Sequence, residues 1–170
     1  SLSDTSRAQA AFLRERRPEV VAVELSRDAA ATVSAALAGG ASVLVATPVP
    51  PHGARRSTAK EAREYARALG DVARVCLEAA PETALFATGG DTALAVLEGI
   101  GADRVRAHRE IEPGVPLLSI AGAETLRATP FGTKAGGFGR RETMITAFDA
   151  LARLDVPAPE PTSRAGKEAR

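Results

Sequence analysis

The sequence predicts an α/β fold: a mostly parallel sheet with helices on both faces, plus a few added antiparallel strands. Three observations carry that expectation. Short β-branched runs alternate with helical segments through the first two thirds of the chain, the pattern of parallel strands joined by crossover helices. The apolar run at 83–87 leads into Gly89-Gly90 and then a helical segment, a strand-to-helix turn of the kind found at the carboxyl edge of such sheets. Residues 104–130 hold strand-like runs with no helix between them, which adds antiparallel strands at one side.

The elements follow in order. Ser3-Asp4-Thr5-Ser6 supplies helix N-caps, and 8–17 reads as a helix that Pro18 stops. Val20-Val21-Ala22-Val23 is a buried strand. Residues 28–38 form a helix ended by Gly39-Gly40. Residues 42–46 are the next strand, and 47–57 a loop with three prolines and His52. Ser57 or Thr58 caps a long helix through about Ala80, ended by Pro81. Residues 83–87 are a strand and 92–100 a helix. Residues 104–111 and 115–120 are strands around Pro113-Gly114, and 127–130 is a short strand. Residues 141–154 form an amphipathic helix with Ile145, Phe148 and Leu151 on one face. That face is the candidate homodimer interface, if it is not core. From Val156 the chain is proline-rich and polar, so 1–155 is read as one domain and 156–170 as a disordered tail.

Composition narrows the classes. Of 170 residues, 45% are hydrophobic and 25% charged, which suits one globular domain. A net charge of +1 gives no reason to expect nucleic acid or a membrane surface as a partner. No apolar run approaches the roughly 20 residues that span a bilayer, no signal peptide is visible, and Cys76 is the only cysteine. The expectation is a cytoplasmic protein in which Cys76 is a buried structural thiol. Ser1 stands where an initiator methionine would be, and Met144 is the only methionine. The chain is therefore read as a domain cut from a longer polypeptide.

Two glycine-rich stretches carry the chemistry. In Phe86-Ala87-Thr88-Gly89-Gly90-Asp91-Thr92-Ala93, the adjacent glycines let backbone N–H groups approach an anion. The following helix aims its unpaired N–H groups and positive dipole end at the same point. Two glycines serve equally as a plain tight turn. Asp91 and Thr92 stand at the helix start, where either is a possible N-cap. Thr92 can also offer its hydroxyl to a phosphate, whereas Asp91 needs a cation between itself and any phosphate. The second stretch is Thr133-Lys134-Ala135-Gly136-Gly137-Phe138-Gly139. Only three of the 22 basic residues are lysines, so Lys134 beside a glycine cluster is a pointed choice. A compact ammonium acts as a point charge on phosphate. Phe138 is expected to pack inward.

Other polar residues carry less. His52 and His108 have no ligand spacing, so no metal site is expected. Glu110 and Glu112 share one strand face and read as solvated charges, and Arg14-Glu15-Arg16-Arg17 as a helix end. No Ser/His/Asp or Cys/His constellation can be assembled, and no Gly-Lys-Ser/Thr run of the P-loop type exists.

Three blocks together resemble the C-terminal nucleotide-binding domain of the four-carbon acid sugar kinases. They are Thr88-Gly89-Gly90-Asp91-Thr92-Ala93, Glu110-Ile111-Glu112-Pro113-Gly114-Val115-Pro116 and Thr133-Lys134-Ala135-Gly136-Gly137-Phe138-Gly139. The opening Ser1-Leu2-Ser3-Asp4-Thr5-Ser6-Arg7-Ala8-Gln9 resembles the family's crossing from its first domain to its second. The resemblance implies ATP-dependent phosphorylation of the terminal hydroxyl of a threonate, erythronate or 3-oxo-tetronate, with Mg2+ accompanying ATP. Carried over by position, Gly89, Gly90, Asp91 and Thr92 hold the ATP phosphates, Gly136 and Gly137 close on the nucleotide, and Ser3 contacts ATP from the domain junction. Charge neutralisation by Lys134 is a chemical inference of ours, in keeping with what phosphoryl transfer asks of a protein.

The family's sugar-acid-binding N-terminal domain, with its Asp-Asp-x-Thr-Gly motif, has no counterpart in these residues. The expectation is that the chain alone binds ATP weakly or not at all and turns over no sugar acid. Two other readings compete. Phosphofructokinase-like and lipid-kinase-like folds share the Gly-Gly-Asp turn but usually have glycine where Thr92 stands. A stand-alone nucleotide- or phosphate-binding module needs no catalytic partner domain.

Overall fold

The computed structural model describes residues 3–48, 58–122 and 129–153. His52, Ser57 and the 156–170 tail lie outside them. The element order is α1 (Asp4–Arg16), β1 (Val21–Glu24), α2 (Ala29–Ala38), β2 (Val43–Ala46), α3 (Ala59–Ala79), β3 (Leu85–Thr88), α4 (Gly90–Gly99), β4 (Ala102–Glu112), β5 (Val115–Gly122), β6 (Thr129–Lys134) and α5 (Thr143–Ala152). The fold is α/β, as the alternation predicts. Parallel pairing joins β1 to β2 and β3 to β6, and the helix-free stretch supplies antiparallel β4–β5 and β5–β6. The strands fall into two sheets, β1-β2 and β3-β6-β5-β4, because β2 and β3 share no ladder.

Local signals explain most boundaries. Ser3 caps α1 by accepting the Ser6 N–H at 3.1 Å, so the helix starts within the cap-rich run and not after it. Thr58 and Glu61 form a reciprocal capping box at the start of α3. Gly114, at φ +76°, makes the β4–β5 turn.

Helix α3 ties the two sheets together. One side of it packs Val72 and Cys76 with Val23, Ala29 and Val33 over the β1–β2 pair. Ala73 and Leu77 join Val96, Ile120 and Phe131 over the larger sheet. Ile120 and Phe131 are fully buried, each worth ~1.5–3 kcal/mol of transfer free energy. Helix α5 lies on the opposite face: Phe131 points to the α3–α4 side, while a Cβ on its neighbour Gly132 would meet Phe86 and Leu151 of α5.

Three sequence expectations are corrected. The buried stripe of α5 is Met144, Ala147 and Leu151, with Ile145 only half-buried; the helix rotates to seat Met144 in place of Ile145. Phe138 is 44% exposed and lies across Gly114, where a Cβ would come within 2.8 Å of its ring. Glu112 is not solvated. Its carboxylate accepts a hydrogen bond from Thr143 Oγ1 and pairs with Arg140 Nη2 at 3.5 Å.

Candidate functional site

The two glycine stretches meet because β3 and β6 pair in parallel. Thr88 stands opposite Lys134 in that register, and the Gly89 N–H donates to the Lys134 carbonyl at 2.9 Å. Both strands therefore release their glycines at the same carboxyl edge, where α/β sheets hold ligands.

At the first turn, Gly89 has φ +98° and ψ 133° and occupies the N-cap of α4. A side chain there would be strained, so this glycine is required by the backbone. The first intrahelical bond runs from the Ala93 N–H to the Gly89 carbonyl. The N–H groups of Gly90, Asp91 and Thr92 thus belong to the helix's unpartnered first turn. Neither Asp91 nor Thr92 is the N-cap that the sequence suggested; they follow at the second and third helical positions. Asp91 is exposed and Thr92 half-buried.

Gly90 differs from Gly89. A Cβ added to Gly90 would meet nothing within 4 Å, and the same holds for Gly137 in the second loop. Internal packing does not call for glycine at either place. Both positions leave open room beside exposed backbone, a cradle that side chains would fill.

The second loop is held from inside. Lys134 is only 2% exposed, and its Nζ donates to the carbonyls of Ala135 at 3.0 Å, Gly136 at 3.2 Å and Phe138 at 3.1 Å, and to Ser6 Oγ at 3.3 Å. Among the described residues no carboxylate bonds to it. Burial lowers its pKa from the ordinary lysine value. The lysine that sequence chemistry pointed at phosphate instead faces the loop's own acceptors, gathering three carbonyls onto one ammonium.

Helix α1 completes the clamp, with Ser3, expected at the site, and with Ser6 and Gln9, to which sequence reasoning gave no site role. Ser6 Oγ donates to the Gly136 carbonyl at 2.7 Å and lies 2.5 Å from Thr88 Oγ1. Ser3 Oγ donates to the same carbonyl at 2.5 Å. Gln9, 1% exposed, gives its Nε2 protons to the carbonyls of Phe138 at 3.2 Å and Arg140 at 2.6 Å. The signal was present: Ser6 and Gln9 recur at helical spacing on the face that buries Phe12 and Leu13. Polar residues on a buried stripe need partners. Ser3, Gly89, Gly136 and Lys134 are therefore brought into one bonded cluster, with Gly90, Asp91, Thr92 and Gly137 following directly on it.

An α/β domain with a strand-edge turn into a helix, faced by a glycine loop on a paired strand, has a geometry that suits an anion. The chain matches the model of the nucleotide-binding C-terminal domain over residues 1–144. It is 32% identical over 171 residues to the D-threonate kinase of Cupriavidus necator, covering 93% of this chain and 40% of that enzyme. A 3-oxo-tetronate kinase of Pseudomonas savastanoi pv. phaseolicola is 34% identical over 85 residues, 50% of this chain and 19% of that enzyme. Among solved structures, a domain of unknown function from Bordetella bronchiseptica, a domain-swapped dimer with bound citrate, aligns with TM-score 0.70 at 29% identity. That alignment covers 89% of this chain and 39% of the other. The chain belongs to the nucleotide-binding C-terminal domain family of the four-carbon acid sugar kinases. It spans about two fifths of the Cupriavidus relative's length.

Proposed function

We propose that residues 1–155 are the nucleotide-binding part of an ATP-dependent, cytoplasmic kinase acting on the terminal hydroxyl of a four-carbon sugar acid. The acid is a threonate, erythronate or 3-oxo-tetronate, held by a preceding domain, and Mg2+ accompanies the ATP. The observation that carries this reading is the convergence of the Gly89-Gly90 turn and the Gly136-Gly137 loop at one sheet edge. The kinase names of the relatives support the reaction class. The Bordetella dimer supports a homodimer.

In this reading the first-turn N–H groups of Gly90, Asp91 and Thr92 bind the phosphates, aided by the α4 dipole. Gly137 gives the nucleotide room, and Ser3 and Gly136 fix the loop from below. Lys134 supplies positive charge without touching the phosphates. Asp91, exposed in the first turn, is the carboxylate nearest in sequence for the metal. The base that accepts the hydroxyl proton belongs to the preceding domain, so the chain alone turns over no sugar acid.

Titration calorimetry with Mg-ATP on the full polypeptide tests this. Gly90→Val and Gly137→Val place side chains where nothing in the fold stands in their way. Each is expected to weaken ATP binding by about tenfold or more, a loss of about 1.4 kcal/mol, with an unchanged unfolding temperature. Unaltered affinity in both variants overturns the site.

A further inference from the structure

The sheet layer has a slot in it. Strand β2 bonds to β1 and β3 bonds to β6, and among the described residues neither strand has a ladder partner on its other edge. Between those edges lies a cavity of about 630 Å³, lined along Val43–Val45 on one side and Leu85–Ala87 on the other. Val33 and Cys76 wall it on the α2–α3 face, and Leu13 and Met144 on the α1–α5 face. A cavity at sheet level, between two helix layers and two open strand edges, has the shape of one missing strand. A strand in it would sit about 4.8 Å from each neighbour and satisfy both rows of backbone groups.

We propose that the slot receives an extended apolar segment lying immediately N-terminal to α1 in the longer polypeptide, joining the two sheets into one. Its position relative to α1 is the first argument. The α1 start is bonded at the carboxyl ends of β3 and β6, through Ser6 to Thr88 and through Ser3 and Ser6 to Gly136. A strand parallel to β3 in the slot ends at that same edge, so it delivers the chain to the α1 N-cap without a long connection.

Handedness is the second argument. The steps from β1 to β2 and from β2 to β3 cross through α2 and α3 on one face. A slot strand crossing to β1 travels the opposite way along the sheet, and a right-handed crossover then requires its helix on the other face. Helix α1 is there: it packs beside α5, with Arg17 donating to both Asp149 oxygens at 2.6 and 2.7 Å.

The third argument is the family itself. The matched model is that of a C-terminal domain. In the Cupriavidus relative, most of the polypeptide lies outside the matched region. Such a protein has chain leading into this domain. With helices covering both faces, the segment should be a near-continuous apolar, β-branched run, and its neighbours β2 and β3 are each four residues long.

Hydrogen–deuterium exchange resolved to single amides tests the proposal. The chain as given is compared with one lengthened by about twelve residues encoded immediately upstream. The slot-facing amides of Val43–Ala46 and Leu85–Thr88 are expected to slow by about tenfold or more on lengthening. Prolines at two alternate positions of the extension should abolish that gain, which separates strand pairing from added length. A synthetic peptide of the same residues, added to the short chain, is expected to protect the same amides. Unchanged exchange in both strands, with the extension or with the peptide, overturns the proposal. So does protection in the short chain that rises with concentration alongside a dimer, which makes a second copy the occupant. Protection lost on deleting 154–170 overturns it equally.

Discussion

Gly70 of α3 and Gly99 of α4 meet backbone to backbone. A Cβ on Gly70 would come within 2.3 Å of the Ala95 carbonyl oxygen, and one on Gly99 within 2.7 Å of the Gly70 carbonyl carbon. The contact lets α3 lie close over the helix whose N-terminus forms the site. Because the obstacles are backbone atoms, a methyl group can be admitted only by moving the helices apart. Gly70→Ala and Gly99→Ala are each expected to lose about 1–3 kcal/mol of stability, seen as a lower midpoint in thermal or urea unfolding. Gly137→Ala, with nothing within 4 Å, should leave the midpoint in place.

Lys134 predicts an alkaline signature. Burial lowers its folded-state pKa, so between that value and the unfolded 10.5 the unfolded chain holds more protons. Stability from this group therefore rises with pH through that window and is lowest below it. Cys76 works in the opposite sense, since burial raises its thiol above 9.0. Comparison with Lys134→Met cancels the cysteine. The variant loses about 1–3 kcal/mol with the charged donor's hydrogen bonds to the loop. The wild-type advantage should grow as pH rises towards 10.5, and parallel pH curves for the two proteins would refute the assignment.

Ser6→Ala removes a hydroxyl that joins Thr88 Oγ1, the Gly136 carbonyl and Lys134. We expect a loss of about 1–2 kcal/mol. In the full polypeptide a larger KM for ATP should accompany it, because the loop loses one of its ties to α1. Ser6→Thr keeps the hydroxyl and should restore most of the affinity. Failure of that rescue, or an unchanged KM in Ser6→Ala, would deny Ser6 a positioning role.

The Arg17–Asp149 pair is bidentate in geometry but about a third exposed. Solvent screening leaves such a pair little net stability. Asp149→Asn should shift the unfolding midpoint only slightly, and the shift should shrink in high salt. A loss of several kcal/mol would mean that the α1–α5 contact depends on this pair more than its exposure allows.

Much of this was legible in the residues. Alternating β-branched and helical runs marked the α/β class, and the start of α3 was legible to within one residue, Thr58 being one of the two caps on offer. The Gly89 turn was visible because its chemistry is local. The orientation of Lys134 was not, since whether an ammonium turns to solvent or to its own loop depends on what β6 packs beside. Glu112 reads as an exposed strand residue until Thr143 and Arg140 arrive from thirty residues away. Ile145 and Met144 are neighbours of similar apolarity, so periodicity alone could not choose which of them α5 buries. The unpaired edges of β2 and β3 leave no mark in the sequence, because strand partners are a long-range property.

The clamp around Lys134 has a kinetic consequence. Its charge is solvated by carbonyl dipoles, and among the described residues no carboxylate pairs with it. Dipole fields fade with distance faster than the field of a full charge. From several ångströms outside the loop, the ammonium therefore still registers as a positive monopole to an approaching polyanion, in a region of lowered dielectric. That field acts before any contact forms, and it acts on the rate of encounter. Counterions shorten its reach to about 8 Å at physiological ionic strength, so capture of a triphosphate should slow as salt rises, with the rate of its release much less affected.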